Sequence, residues 1–134
     1  MTTELTYLTW TATLTALLWI PYLVNAMAVR GIFAVVSPAP LESEVPLSPW
    51  ARRLRAAHGN AAENLGVFAS LVLVAHVAGV STPVTMMAAV SYFWARAAHY
   101  LIYGLGIPVL RTGAFVVGWS AQLAIAWQIL AATS

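Results

Sequence analysis

The chain lacks cysteine and lysine, and only 7% of its 134 residues are charged. Without cysteine it has no disulfide framework, no thiolate metal site and no cysteine nucleophile. A soluble globular domain carries about 25% charged residues, whereas hydrophobic residues make up 61% of this chain. The composition therefore predicts an integral membrane protein that has the lipid bilayer as its surroundings.

The few charges comprise six arginines and four acidic residues, for a net charge of +2. The arginines do not form a basic run, which argues against nucleic acid as a partner. The three histidines are spread over two predicted helices, so we predict no metal site. Residues 1–4 contain an acid and no base, and we therefore expect the first helix to act as an uncleaved insertion signal.

Four stretches supply the ~20 mainly apolar residues that a membrane-spanning helix requires. They are residues 5–29, 49–80, 83–103 and 108–131. Residues 31–50 are rich in proline and contain Glu42 and Glu44, a pattern typical of a loop. Ser48 and Thr82 each precede a proline, which is the arrangement of a helix N-cap followed by proline at the first helical position.

The two later connections are short, which predicts antiparallel neighbours. The predicted fold is all-α: a single integral membrane domain over residues 1–134, formed by a four-transmembrane-helix antiparallel bundle. All the arginines fall at one side of this bundle, and positive residues mark the cytoplasmic face. They are Arg30, Arg52, Arg53, Arg55, Arg96 and Arg111.

Two predicted helices carry polar residues at helical spacing within the membrane. On the second helix Arg53, Asn60, Glu63 and Asn64 share one stripe, and on the third helix the stripe comprises Tyr92, Arg96, His99 and Tyr103. Charged groups inside the membrane usually mark function, so the stripes predict a polar pocket for an anionic or zwitterionic ligand. The alternative is structural, with Glu63 and Arg96 as a buried ion pair and Asn60 as a hydrogen-bond donor between helices. His76 lies far from both stripes, and we interpret it as an interfacial histidine.

The segment around Arg53 resembles the signature of the MAPEG family, the membrane-associated proteins of eicosanoid and glutathione metabolism. Four residues match the signature in register: Arg53, Ala57, Asn60 and Glu63. The second half of the chain is also similar to the family's third and fourth helices. There, Arg96, His99 and Tyr103 are followed by Gly-Leu-Gly-Ile-Pro and Arg111.

The resemblance implies a homotrimer that binds glutathione, or another low-molecular-weight thiol, between neighbouring subunits. Carried over to this sequence, the residues that contact the tripeptide are Arg53, Asn60, Glu63, Arg96, His99 and Tyr103, with Arg30 and His58 beside them. Arg111 matches the arginine that stabilises the glutathione thiolate in catalytic members. The implied activity is that of a transferase or peroxidase acting on lipophilic electrophiles.

Some positions depart from the family pattern. Arg52 replaces the first glutamate of the signature, and Asn64 stands where a leukotriene synthase has tyrosine, which favours a general glutathione transferase. The compact length is similar to that of the bacterial branch, so we expect a bacterial inner membrane. A non-catalytic binding scaffold of the same family stays open as an alternative. A proton-coupled exporter is disfavoured, because residues 5–29 contain no acidic residue.

We expect the loop around Glu42 to face the cytoplasm and both termini to face away from it, because the arginines flank that loop. Since the chain has no cysteine, the variants Ser43→Cys and Ser134→Cys each introduce a unique labelling site. A membrane-impermeant maleimide added to intact cells should label only Ser134→Cys. Labelling of Ser43→Cys alone would reverse the orientation and with it the cytoplasmic location of the pocket.

Overall fold

A computed structural model describes residues 1–37 and 45–133 of the chain. This part of the chain folds into six helices and is all-α. They are α1 (Thr3–Leu17), α2 (Ile20–Arg30), α3 (Ile32–Val36), α4 (Pro49–Val77), α5 (Pro83–Leu105) and α6 (Pro108–Thr133). Glu42, Ser43 and Ser134, on which the orientation prediction depends, lie outside the described residues.

The first predicted helix, residues 5–29, is divided in two. Helix α1 ends at Leu17 and α2 begins at Ile20, because Pro21 has no backbone N–H and its ring crowds the preceding turn. The carbonyl of Leu18 at this break accepts a hydrogen bond of 2.8 Å from the buried hydroxyl of Tyr100. The break is therefore tied to α5 and does not leave an unsatisfied carbonyl in the membrane.

The prediction of a loop over residues 31–50 is corrected in part. The five residues of α3 are helical where a loop was expected, and Gly31, with φ of 85°, separates them from α2. Ser48 is the N-cap residue of α4 with proline following it, as predicted, but its side chain makes no capping hydrogen bond. Its hydroxyl instead accepts from the Asn25 amide at 2.8 Å, and its backbone N–H donates to Asn25 at 3.0 Å. In contrast, Thr82 does cap α5, in a reciprocal capping box with Thr85.

Three helical spans in the described residues are long and apolar enough to cross a membrane. They are Thr3–Arg30, Pro49–Val77 and Pro108–Ala132. The sequence predicted four spans, and α5 is not among these three. Its 23 residues are long enough for the ~30 Å hydrocarbon layer at 1.5 Å per residue. Arg96 and His99, however, make its composition less apolar than that of the three spans.

Helix α5 packs against α1, α4 and α6, and this central position explains how it tolerates polar residues. A core of small and aromatic side chains joins α4, α5 and α6, with Phe68 stacked on Tyr92 at 3.8 Å between ring centroids. At the end of α5, Gly106 takes a φ of 77° that a side chain would strain. This turn sends α6 back along α5, so the C-terminal end of α5 and the N-terminal ends of α4 and α6 meet at one end of the protein.

Candidate functional site

A cavity of about 270 Å³ opens where α4, α5 and α6 meet. Four of the predicted site residues contribute to its wall: Asn60 from α4, His99 and Tyr103 from α5, and Arg111 from α6. The remaining lining residues are Ala56, Thr112 and Phe115. The fold thus brings polar residues from three helices to one small cavity.

Arg96 lies beside this cavity and is only 3% exposed. One terminal nitrogen donates to the side-chain oxygen of Asn60 at 3.1 Å, and the other donates to the backbone carbonyl of Phe115 at 3.5 Å. The guanidinium carbon is also 5.5 Å from the ring centre of Tyr92 and 5.4 Å from that of Phe115. Neutral acceptors and aromatic faces therefore surround the cation, and Nε makes no hydrogen bond within the described residues.

Helix α6 is shaped to receive this arginine. A Cβ atom at Gly118 would lie 2.7 Å from one terminal nitrogen of Arg96 and 3.0 Å from its Nε. Next to this position, the Gln122 amide donates to the backbone carbonyl of Asn64 at 3.1 Å and joins α6 to α4. Because Gly118 has no side chain, the backbone of α6 can approach the guanidinium closely.

Arg111 lies on the opposite wall of the cavity, one turn into α6. Its guanidinium carbon stands 4.6 Å from the ring centre of Tyr103, a distance suited to a cation–π contact. The N-terminal end of a helix carries a partial positive charge and free amides. Arg111 and the start of α6 therefore add positive potential to the same side of the cavity.

Four predicted site residues do not reach the cavity in a single chain. Arg53 instead donates to the carbonyl of Gly104 at 2.9 Å, His58 bonds to the Tyr22 hydroxyl at 2.8 Å, and Arg30 donates to the carbonyl of Val45 at 2.8 Å. Glu63 is exposed on the outer face of α4. In the described part of the chain Glu63 forms no ion pair with Arg96, so the predicted structural pair is wrong as an account of a single chain.

Comparison with known proteins identifies the family. The MAPEG family model matches residues 8–131, nearly the whole chain. The chain belongs to the MAPEG family. No curated protein and no solved structure matches it.

Sequence reasoning missed three lining residues of this MAPEG chain, and it did not connect Gly118 with Arg96. Ala56, Thr112 and Phe115 line the cavity, and Gly118 admits Arg96. The signal was present on α6, where positions 111, 115, 118 and 122 follow helical spacing and face α5 and α4. It was not recognised because three of these four residues are uncharged.

The arrangement favours an anion as the ligand of this MAPEG site. Arg111 lines the cavity, and Arg96 is hydrogen-bonded to the lining residues Asn60 and Phe115. Among the residues that the structure describes, no carboxylate lines the cavity. Charge-assisted hydrogen bonds from arginine to carboxylate are among the strong ones in proteins. Within the described residues no group of three or more metal-ligating side chains occurs.

Gly118→Ala should destabilise the protein, because the added methyl group would displace the buried Arg96 guanidinium. Overpacking of this kind typically costs about 1–3 kcal/mol. Gly113→Ala is the matched control on the same helix, since a Cβ atom there meets nothing within 4 Å. Thermal unfolding in detergent, followed by circular dichroism, should show a lower midpoint for Gly118→Ala only. Equal midpoints would mean that Arg96 is not held against α6.

Proposed function

We propose that this MAPEG protein is a membrane-bound, glutathione-dependent transferase or peroxidase that acts on lipophilic electrophiles. The observation that carries the proposal is the buried guanidinium of Arg96, which has no carboxylate partner in the described part of the chain and lies beside a cavity that Arg111 lines. A buried cation that has only neutral acceptors lacks a countercharge, which is energetically costly. An anionic ligand would complete it.

Glutathione fits this requirement because it carries two carboxylates, an ammonium group, two amides and a thiol. In the proposal Arg96 binds a carboxylate of the peptide, Asn60 binds an amide, and His99 and Tyr103 supply further hydrogen bonds from the wall. Another low-molecular-weight thiol with a carboxylate would meet the same conditions. The physiological electrophile is proposed only as a class, namely a lipophilic molecule that reaches the site from the bilayer.

The reaction requires a thiolate, and the protein has no thiol of its own. A free cysteine thiol has a pKa of about 8.5 and is mostly protonated at neutral pH. A guanidinium within ~4–6 Å lowers such a pKa by roughly one to three units, and the start of α6 acts in the same direction. Arg111 is therefore the proposed catalytic residue, which holds the sulfur as the anion.

The thiolate would attack an electrophilic carbon, so that a carbon–sulfur bond forms and the leaving group departs with its electron pair. With a hydroperoxide, the sulfur would attack the terminal oxygen and release an alcohol. A second glutathione would then displace hydroxide from the oxidised sulfur, giving glutathione disulfide and, after proton transfer, water. Both reactions use the same activated sulfur.

The size of the cavity supports an assembly of several chains. Binding pockets for small molecules usually measure about 300–1,000 Å³, and the cavity in a single chain is smaller, at about 270 Å³. Glu63 is exposed on α4, although a charge facing hydrocarbon costs about 2.5–3.5 kcal/mol on insertion scales. We therefore propose that a neighbouring copy covers this face and that Glu63 joins the site there.

The exposed face of α4 is suited to such contact. Ala62, Gly66 and Ser70 follow one another at intervals of four residues and are all exposed, a spacing of small residues that allows helices to approach closely in membranes. The proposed number of subunits is three, which rests on the family resemblance. We further propose a bacterial inner membrane as the location, with the arginine-rich end and the site facing the cytoplasm.

Arg111→Ala should raise the pKa of the thiol of bound glutathione by roughly one to three units. Ligand affinity should change little, because the residue acts on the sulfur and not on the peptide. Asn60→Ala should instead weaken binding, since it removes the partner of Arg96 and a polar group of the cavity wall. The measurement is the ultraviolet absorbance of the thiolate, titrated against pH, together with ligand affinity for each variant.

Arg55→Ala is the matched control for the loss of an arginine, since Arg55 is exposed and does not line the cavity. It should leave both the thiol pKa and the affinity unchanged. An unaltered thiol pKa in Arg111→Ala would assign activation to another group. Binding without any thiolate in the unmodified protein would favour the non-catalytic scaffold.

Native mass spectrometry in mild detergent should show a homotrimer with bound thiol. Gly66→Leu should weaken the assembly, because a side chain at Gly66 has open space within its own chain and can clash only with a neighbour. Gly113→Leu, at a similarly open position on α6, is the control. A monodisperse monomer or dimer that still binds the thiol would refute the trimer.

A further inference from the structure

A buried carboxylate lies at the end of the protein opposite the arginines. Glu4, in the first turn of α1, is only 3% exposed. Its Oε1 accepts hydrogen bonds from the hydroxyl of Ser81 at 3.0 Å and from that of Thr85 at 2.5 Å. Its Oε2 is buried and has no hydrogen-bond partner within the described residues.

Glu4 forms part of the wall of a second cavity, of about 230 Å³. The other lining residues are Thr2, Val72, Ala75, His76, Gly79, Val80 and Ser81. A water molecule occupies about 30 Å³ in the liquid, so this cavity has room for a small polar head group. His76 was interpreted from the sequence as interfacial only, and the structure brings it into the same wall as a carboxylate.

The electrostatics of this cavity favour a cation. Helix α4 ends at Val77, and its C-terminal end carries partial negative charge. Four of the lining residues surround this end: Ala75, His76, Gly79 and Val80. The hydroxyls of Ser81 and Thr85 both donate to Oε1, whereas Oε2 has no hydrogen bond within the described residues, where the only further hydroxyl in the cavity wall is that of Thr2. Apart from His76, the lining residues include no basic side chain.

We propose that this cavity binds a primary ammonium group, which donates a hydrogen bond to Oε2 of Glu4. A primary ammonium supplies a positive charge together with N–H donors, and such charge-assisted bonds are stronger than neutral ones. The group can belong to the head of an aminophospholipid at the membrane surface or to a free amine. The site is at the opposite end of the helices from the thiol site and does not depend on the proposed function.

The test compares lipids that differ only in the head group. Full-length protein in mild detergent is mixed with phosphatidylethanolamine or phosphatidylcholine of identical acyl chains, and retained lipid is counted by native mass spectrometry. Phosphatidylcholine has a quaternary ammonium without N–H donors. The unmodified protein should retain phosphatidylethanolamine in preference, on the order of tenfold. Glu4→Gln should abolish the preference, whereas Glu42→Gln, the same loss of charge elsewhere in the chain, should keep it.

Free ethanolamine distinguishes the two sources of the ligand. If it displaces the lipid at millimolar concentration, the head group alone suffices and a free amine is a ligand. If it does not, the ligand is the lipid. Equal retention of both lipids by the unmodified protein, or an unchanged preference in Glu4→Gln, would overturn the proposal.

A second measurement avoids variants that fail to fold. A carbodiimide joins a carboxylate to a primary amine in direct contact, forming an amide while the reagent takes up water to become a urea. In bilayers that contain phosphatidylethanolamine, peptide mass spectrometry should find the lipid coupled to Glu4 of the unmodified protein. Coupling that is absent from Glu4 while other carboxylates react would contradict the site.

Discussion

The guanidinium of Arg96 must be kept out of hydrocarbon, and the arrangement of the helices follows from that need. A charged residue in a membrane helix is tolerated when it faces the interior and finds polar partners. Helix α5 therefore lies between α1, α4 and α6, and its arginine reaches Asn60 on one side and the backbone of α6 on the other. Where the backbone of α6 comes closest to the guanidinium of Arg96, only glycine leaves enough space, and Gly118 occupies this position.

Every polar group inside the bilayer needs a hydrogen-bond partner from the protein, since the bilayer interior offers no water as a partner. The threonine hydroxyls of α1 return to carbonyls of their own helix four residues earlier, as Thr11 does to Tyr7 at 2.7 Å. The carbonyl exposed by the break after α1 is bound by Tyr100. Buried polar atoms that have no hydrogen-bond partner in the described residues are therefore informative, and Nε of Arg96 and Oε2 of Glu4 are two of them.

These two groups give the ends of the protein opposite electrostatic character. At one end Arg111 and the start of α6 line a cavity beside Arg96, and Glu63 on α4 is exposed. At the other end a carboxylate and the C-terminal end of α4 surround a smaller cavity. At each end the charged side chains and the nearest helix terminus act in the same direction.

Much of the fold was predictable from local pattern. The start of α4 at Pro49, the Thr82 cap of α5 and the break before α6 follow from residues near one another in sequence. Pro21 indicated a mild break in the first helix, and the break divides it in two. The short α3 was missed, because its Val35 packs against residues of other segments. Residues 38–44, which the sequence predicts to be a loop, are outside the described part of the chain.

The sequence by itself determined that the chain is an all-α membrane protein of the MAPEG family and that α4 and α5 each carry a polar stripe. It did not decide which of these residues meet. Arg53 and Asn60 share one stripe of α4, yet Arg53 binds the end of α5 and Asn60 binds Arg96. Only the tertiary structure decided this, because periodicity defines the face of a helix, whereas the partner of a long side chain depends on the position and close approach of the neighbouring helix.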